Sequence, residues 1–487
     1  MASRETPLCR CTHPSVCGPR LLAVTGLAVL LTAFSVGDCF AGEWPAFRGG
    51  PDHTGVTNEM LRSPLEPAWQ YQPTHAPRPA FRGELASSKD RVESVTYDHV
   101  FEPVFAHGRL YFGSSSEDAV FCLDSGTGEL QWCFHAEGPI RFAPRVVGRQ
   151  LFFGSDDGCV YCLDAVTGCL IWKTHAASSD RRCVGNQRVI SAWPVRTSVA
   201  VAQGVAYFGA GLFPTTGTYL CAARADTGQL LWRRPIPYSP HGEILIEEDR
   251  LIVATGRTAP AEFRKSDGQP LLDEPGPRRA LGGSFVGKAN EMLVWGPDES
   301  GVIFLRTSHD PIEELRPPDR STTIAGRITG LQARCLVASD RLYLIRHEQT
   351  MAVEWNAFYR AASINPQVKW RNWEKTSYPR YGSHPFGLGR AGLLVSEDRQ
   401  LSEEVQQATE WSIPNTEEWT TAVLAGDRLI LGGKDSVVVL DAATGERLDA
   451  VAVEGLARGL AVADGSLFVS TDRGLLYCFR HAVPGPL

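Results

Sequence analysis

Short runs that alternate apolar with polar residues, broken by Asp, Gly and Ser, recur along most of the chain. Residues 150–155 (QLFFGS) read as a strand rich in aromatic residues. Ser155-Asp156-Asp157-Gly158 supplies a tight hairpin turn, with Gly where φ must be positive. Cys159 to Leu163 returns as the next strand, and residues 164–168 (DAVTG) make a second turn in which Asp accepts backbone N–H bonds. Residues 169–172 (CLIW) then form an outer strand whose indole is expected to pack on the neighbouring unit.

This unit repeats. Residues 120–132 (VFCLDSGTGELQW), 160–172 (VYCLDAVTGCLIW), 223–232 (ARADTGQLLW) and 438–448 (VVLDAATGERL) share one pattern, and 265–269 (KSDGQ) is a weaker copy. The copies at Gly128 and Gly168, and again at Gly228 and Gly268, are about 40 residues apart, the period of a propeller blade rather than a helical solenoid. Hairpin signals begin near Arg109, Gln150, Gly204, Arg250, Met292, Arg341, Gly392, Arg428 and Ser466, the one at Gly392 being degenerate. The expectation is an all-β propeller of four-stranded blades, eight of them, with seven or nine as alternatives. The last hairpin, residues 467–479, lacks a following Trp strand, and residues 67–71 (PAWQY) can supply it, joining the termini. Residues 42–487 thus read as one propeller domain: an N-terminal clasp over 42–72, a loop over 73–105 and blades over 106–480.

The first 41 residues read differently. Arg4, Arg10 and Arg20 precede an uncharged apolar run over 21–34, and Cys39-Phe40-Ala41 places small residues where a signal peptidase reads them. Cleavage after Ala41, export to the periplasm or cell envelope, and no membrane span in the mature chain are expected, since a span needs about 20 apolar residues; an uncleaved anchor is the alternative.

Composition narrows the function classes. The chain has 487 residues, 43% hydrophobic and 21% charged, and a net charge of -7, so it is globular and has no basic excess to capture nucleic acid. Of 13 cysteines, Cys9, Cys11, Cys17 and Cys39 lie in the leader. The nine that remain cannot all pair internally. Cys122, Cys162 and Cys478 occupy equivalent repeat positions and read as small buried apolar residues. Cys159 and Cys162, three apart on one strand, face opposite sides and suit neither a metal nor a redox pair.

Candidate chemistry is sparse. The stretch from Gly168 to Gly228 is about half a repeat longer than its neighbours, and the extra residues, 178–188 (SSDRRCVGNQR), are polar and basic. Insertions of this kind project from one face, where propellers bind. Arg181, Arg182, Asn186, Arg188, Trp193 and Arg196 are therefore the first candidates for ligand or partner contact, with Arg257 the next. Arginine forks suit carboxylate, phosphate or sugar-acid groups; the alternative is that they pair with acidic side chains between blades. Asp156-Asp157 reads as a hairpin turn rather than a calcium site, and His53 as a structural residue of the clasp. Glu403-Glu404 and Glu417-Glu418 read as solvated surface. No nucleophile elbow, phosphate loop or paired histidine motif is present in the sequence.

Residues 43–55 (EWPAFRGGPDHTG), 185–197 (GNQRVISAWPVRT), 207–214 (YFGAGLFP) and 467–479 (LFVSTDRGLLYCF), taken with the LDxxTGxxxW copies, resemble the exported PQQ-like (quinoprotein-like) β-propeller repeat proteins of planctomycete type. The resemblance implies a fold shared by two branches. Quinoprotein alcohol dehydrogenases hold PQQ and calcium in the funnel and stack an adjacent Cys-Cys pair on the quinone; no two cysteines are adjacent here. The outer-membrane assembly lipoprotein is a non-enzymatic scaffold. The reading that follows is an exported, non-catalytic, monomeric scaffold that binds an envelope protein, with no cofactor expected. A PQQ- and calcium-dependent dehydrogenase with an atypical site and a polysaccharide-binding module are the alternatives.

Overall fold

The computed structural model describes residues 42–80, 97–256, 260–271, 283–290, 292–296, 302–307, 324–329, 334–338, 340–346, 348–357 and 406–482. The leader, the hairpin signal at Gly392, Glu403-Glu404 and Arg257 lie outside them. Among the described residues no helix is long and apolar enough to cross a membrane.

The protein is an all-β propeller. Three four-stranded meanders come first: Val104–Ala106, Arg109–Ser114, Ala119–Asp124 and Leu130–His135; Arg145–Val147, Gln150–Gly154, Cys159–Asp164 and Leu170–His175; and Ala200–Ala202, Val205–Ala210, Tyr219–Arg224 and Leu230–Pro235. Ile244–Glu247, Arg250–Val253 and Ala261–Arg264 form a three-stranded sheet. Two more four-stranded sheets begin at Phe285–Ala289 and Arg334–Val337. Trp419–Ala425, Arg428–Asp441, Arg447–Ala463, Ser466–Thr471 and Leu476–His481 then run as one sheet, bordered by Val56–Thr57 at one edge and Leu65–Tyr71 at the other. The first strands of successive sheets lie side by side, from Val104–Ala106 through Arg145–Val147, Ala200–Ala202 and Ile244–Glu247 to Phe285–Ala289.

The repeat motif is a latch between sheets. Each outer-strand Trp packs on the turn glycine of the following sheet, so that a Cβ on Gly128, Gly168, Gly228, Gly268 or Gly445 would strike Trp69, Trp132, Trp172, Trp232 or Trp411. Four of those indoles also donate to a carbonyl of the same turn. Trp69 bonds Ser125 O at 2.8 Å, Trp132 bonds Ala165 O at 3.2 Å, Trp172 bonds Ala225 O at 2.9 Å and Trp411 bonds Ala442 O at 3.1 Å. A large apolar body with a polar tip is suited to this use. The turn carboxylate does the rest: Asp164 Oδ1 accepts the N–H of Val166 and Thr167 at 3.1 and 2.9 Å and the Thr167 hydroxyl at 3.0 Å. Between the latches the apolar faces merge, as where Tyr111 and Cys122 of one sheet meet Leu151, Phe153 and Tyr161 of the next.

The segment read as a clasp divides in two. Leu65–Tyr71 pairs antiparallel with Leu476–His481, and its Trp69 latches onto the first meander. Residues 44–57 do something the sequence did not announce: they run along the inner strands. Trp44 exchanges backbone bonds of 2.9 and 2.8 Å with Phe105, and Pro45 O accepts Val146 N–H at 2.9 Å. Asp52 O accepts Lys288 N–H at 2.8 Å, and Val56–Thr57 lies parallel against Leu424 and Ala425. One strap thus ties together the inner strands of four sheets. It folds around Arg48, whose guanidinium donates to the His53 and Thr54 carbonyls at 3.1 Å each. His53 is buried within it, bonding Val286 O through Nδ1 at 2.9 Å, with Nε2 facing Glu243 at 3.7 Å.

Candidate functional site

The residues inserted after the second meander fold as a hairpin. Arg182–Gly185 pairs with Arg188–Ser191, and the turn between them places Asn186 (φ 53°) and Gln187 (φ 61°) in consecutive left-handed conformations. That is the backbone of a type I′ turn, whose twist matches the flanking strands. The hairpin sits in the connection between two meanders rather than inside one. Its root and its turn are fixed by charge.

Arg196, just beyond the root, is fully buried against Asp156. Its Nε donates to Oδ1 at 2.8 Å and its Nη2 to Oδ2 at 2.9 Å. Arg141 donates to the same carboxylate at 2.7 Å and pairs with Asp98 through a second nitrogen. Asp98 also accepts the N–H of Ala80. Asn186 completes the network, accepting from Arg196 Nη2 at 2.7 Å and donating to Ala80 O. Two guanidinium groups and two carboxylates therefore neutralise one another inside the protein, the condition under which buried charge is tolerated. Burial works against the charge on Asp156, yet Arg196 and Arg141 outweigh it and hold its carboxyl below the usual range. Asp98 has only one guanidinium bonded to it, and burial pushes it up to about 6. Tyr97 lies beside the cluster, its hydroxyl 3.5 Å from His241 Nδ1 and its ring 4.7 Å from that of Phe142; burial pushes its hydroxyl pKa up.

The predicted site residues thus have different fates. Arg196 and Asn186 belong to this buried network. Arg188 bonds Asp118 at 2.5 Å and the Ser116 carbonyl at 3.2 Å. Arg182 reaches Glu137 at 3.0 Å. Arg181 stacks over the Trp193 ring at 5.1 Å, and the indole N–H donates to Thr216 O at 3.1 Å. Arg257 lies outside the described residues. Asp98, Arg141, Arg78 and Gln187 were missed. Asp98 and Arg78 sit in the stretch read as featureless loop, and nothing in the sequence couples that loop to the hairpin.

Asp156 and Asp157 do form the hairpin turn, and both carboxylates are engaged. Asp157 accepts Cys159 N–H at 2.9 Å and the Tyr161 hydroxyl. Among the described residues no three His, Cys, Asp or Glu side chains gather as metal ligands. The donor set on this face does not fit PQQ with calcium: the Asp98 and Asp156 carboxylates are taken up by guanidinium groups and that of Asp157 by Cys159 N–H and the Tyr161 hydroxyl, so they do not converge on a common point an ion could fill.

Two cavities of about 750 Å³ each adjoin these elements. One lies beside the strap, lined by Glu43, Asp52, Glu59, Glu247, Glu248 and Lys288. The other lies between residues 74–78 and the inserted hairpin, where Arg78 bonds the Gln187 side chain.

Known proteins resemble this chain in fold. A family profile described as outer membrane protein assembly factor BamB matches residues 80–259. The quinohemoprotein alcohol dehydrogenase of Comamonas testosteroni is 14% identical, with a TM-score of 0.54 over 92% of this chain and 82% of its own. That of Pseudomonas putida HK5 is 13% identical at the same TM-score and coverage. A europium-containing methanol dehydrogenase is 12% identical, with a TM-score of 0.55 over 90% of this chain and 98% of its own. No curated protein sequence matches.

Proposed function

We propose that this chain is an exported, non-catalytic propeller of eight blades, closed by its N-terminal strand Leu65–Tyr71 joining the last blade, that serves as a protein-binding scaffold in the cell envelope. The observation that carries the reading is the inserted hairpin. Val184 and Val189 stand opposite each other across its ladder and are 81% and 59% exposed, while its turn and root are fixed by the buried Asp156 network. A rigid element that holds an apolar pair out to water is a docking feature, because the ordering cost of binding has already been met in the fold. The BamB profile match over residues 80–259, which span this hairpin, supports a scaffold role. The Arg181 guanidinium lies over the Trp193 ring, which suits a packed hairpin root better than an open platform for sugar.

Binding would proceed by burial of the valine pair, with the surrounding arginines setting orientation and encounter rate. Chemical cross-linking in envelope extract tests this. The wild-type chain should give a discrete adduct that Val184→Asp with Val189→Asp abolishes while the melting temperature stays unchanged. Absence of any adduct, together with a raised melting temperature and dye reduction on adding PQQ and Ca²⁺, would overturn the scaffold in favour of a dehydrogenase.

A further inference from the structure

We infer that the cleft between residues 74–78 and the inserted hairpin takes an acidic peptide segment of the partner, with a carboxylate seated between Arg78 and Arg188 and an apolar neighbour resting on Val189. The inference rests on the scaffold reading and names the chemistry of what the scaffold holds.

The charge is the first argument. Arg78 donates its guanidinium to a neutral acceptor, the side-chain oxygen of Gln187. Among the described residues, Arg188 pairs with one carboxylate, Asp118, and otherwise reaches the Ser115 and Ser116 carbonyls. Two guanidinium groups and one carboxylate line the cavity, and His75 at its rim faces Glu117 at 3.6 Å. Among the described residues that line it, the cleft therefore carries an excess of one positive charge on a chain whose net charge is -7. Planar forks of this kind bind carboxylates through paired, charge-assisted hydrogen bonds.

The second argument is preorganisation. One wall is tied to the other where Asn186 donates to Ala80 O. The turn that carries Gln187 holds it at φ 61°, a conformation glycine would adopt at lower cost. Retaining Gln there sets an amide oxygen against Arg78 and holds that guanidinium at the cleft.

The third argument selects a peptide over a bare anion. Val189 lines the cavity, and Val184 lies directly across the ladder from it, so an exposed apolar strip continues outward from the cationic pocket. An inorganic anion or sugar acid would gain nothing from that strip, whereas a segment alternating acidic and apolar side chains would cover both.

Selection from a random peptide library on the purified full chain is the test. Recovered sequences should be enriched in Asp and Glu next to Leu, Ile or Val. A synthetic example should bind the wild type about ten-fold more tightly than Arg78→Glu, a difference of about 1.4 kcal/mol. Val189→Ser should weaken it several-fold, and Arg78→Ala serves as the second variant should Arg78→Glu lower the melting temperature. Peptides that are not acidic, or that bind Arg78→Glu equally well, would overturn the inference. So would full competition by inorganic phosphate or polygalacturonate together with wild-type affinity in Val189→Ser, which would make the cleft a plain anion site. If the cross-linked adduct forms equally with Arg78→Glu, the cleft assignment falls and the scaffold stands. If neither adduct nor selected peptide is obtained, both fall.

Discussion

Arg196 grips Asp156 through two parallel hydrogen bonds, at 2.8 and 2.9 Å, with both side chains sealed from water. Removing the carboxylate would leave Arg141 with Asp98 as its one carboxylate, beside the Arg78 carbonyl, and Arg196 with an amide. Asp156→Ala should therefore cost about 3–5 kcal/mol, the range for breaking a buried ion pair. The double replacement Asp156→Leu with Arg196→Met should cost less than the single one, because no charge is stranded. Urea denaturation of the three proteins decides it; a single mutant within about 1 kcal/mol of wild type would show that the network does not hold the hairpin root.

The Trp latch can be separated from the turn that carries it. Gly108 and Gly168 have nearly the same backbone, φ 68° and 71°, but a Cβ on Gly108 meets nothing within 4 Å, whereas one on Gly168 lies 2.6 Å from the Trp132 ring. Gly108→Ala should cost about 1–2 kcal/mol for the left-handed backbone alone. Gly168→Ala should cost a further 1–3 kcal/mol or so for displaced packing. Equal losses in thermal unfolding would mean that the indole contact contributes nothing.

His53 makes a prediction about acid. Burial pushes it down to about 4 from 6.5, with the Arg145 and Arg48 charges adding to the effect and the Val286 carbonyl opposing it. Glu243 faces it at 3.7 Å. Between those values the unfolded chain binds a proton that the folded one refuses. The His53 contribution is therefore complete above pH 6.5 and is lost as the pH falls through 4, amounting to about 3 kcal/mol. Asp98, pushed up to about 6, works in the opposite sense, its penalty easing as the pH drops. The difference between wild type and His53→Asn is thus the quantity to measure. It should shrink steadily from pH 7 to pH 4, and a constant difference would refute the assignment.

The cysteines can be tested by their reactivity. All nine that the structure describes are free; Cys169 and Cys183 are exposed, and Cys122, Cys159, Cys162, Cys221, Cys335 and Cys478 are buried. Burial pushes the Cys122, Cys162 and Cys221 thiols up to about 12. Iodoacetamide on the native protein should label Cys169 and Cys183 quickly and the buried six only after denaturation. A mass change on reduction that matches a disulfide would contradict this.

The repeat copies around Gly128, Gly168, Gly228 and Gly445 made the sheets and their latch legible, because turn chemistry and a Trp at fixed spacing are local signals. Trp69 was also legible, as the strand the last hairpin lacked. The path of Trp44 to Thr57 was not, since its bonds go to Phe105, Val146, Lys288 and Leu424, and no local pattern encodes partners so distant. The same holds at the hairpin. Its basic insertion could be read, but its partners Asp98, Arg141 and Asp156 come from three different connections, and Asp156 looked like any turn residue.

The first strand after the strap is synthesised early and finds its neighbours late. Leu65 donates its N–H to Asp449, 384 residues away, at 2.7 Å, and Tyr71 pairs with Leu476. Until the last hairpin leaves the ribosome, the backbone of Leu65–Tyr71 has no partner strand, although the Trp69 indole can already meet Ser125 of the first meander, and the nascent chain carries unpaired edges that invite aggregation. Folding dominated by such long-range closure is slow, and a stop codon that removes only the final strand would leave the beginning of the protein, not its end, without a place to go.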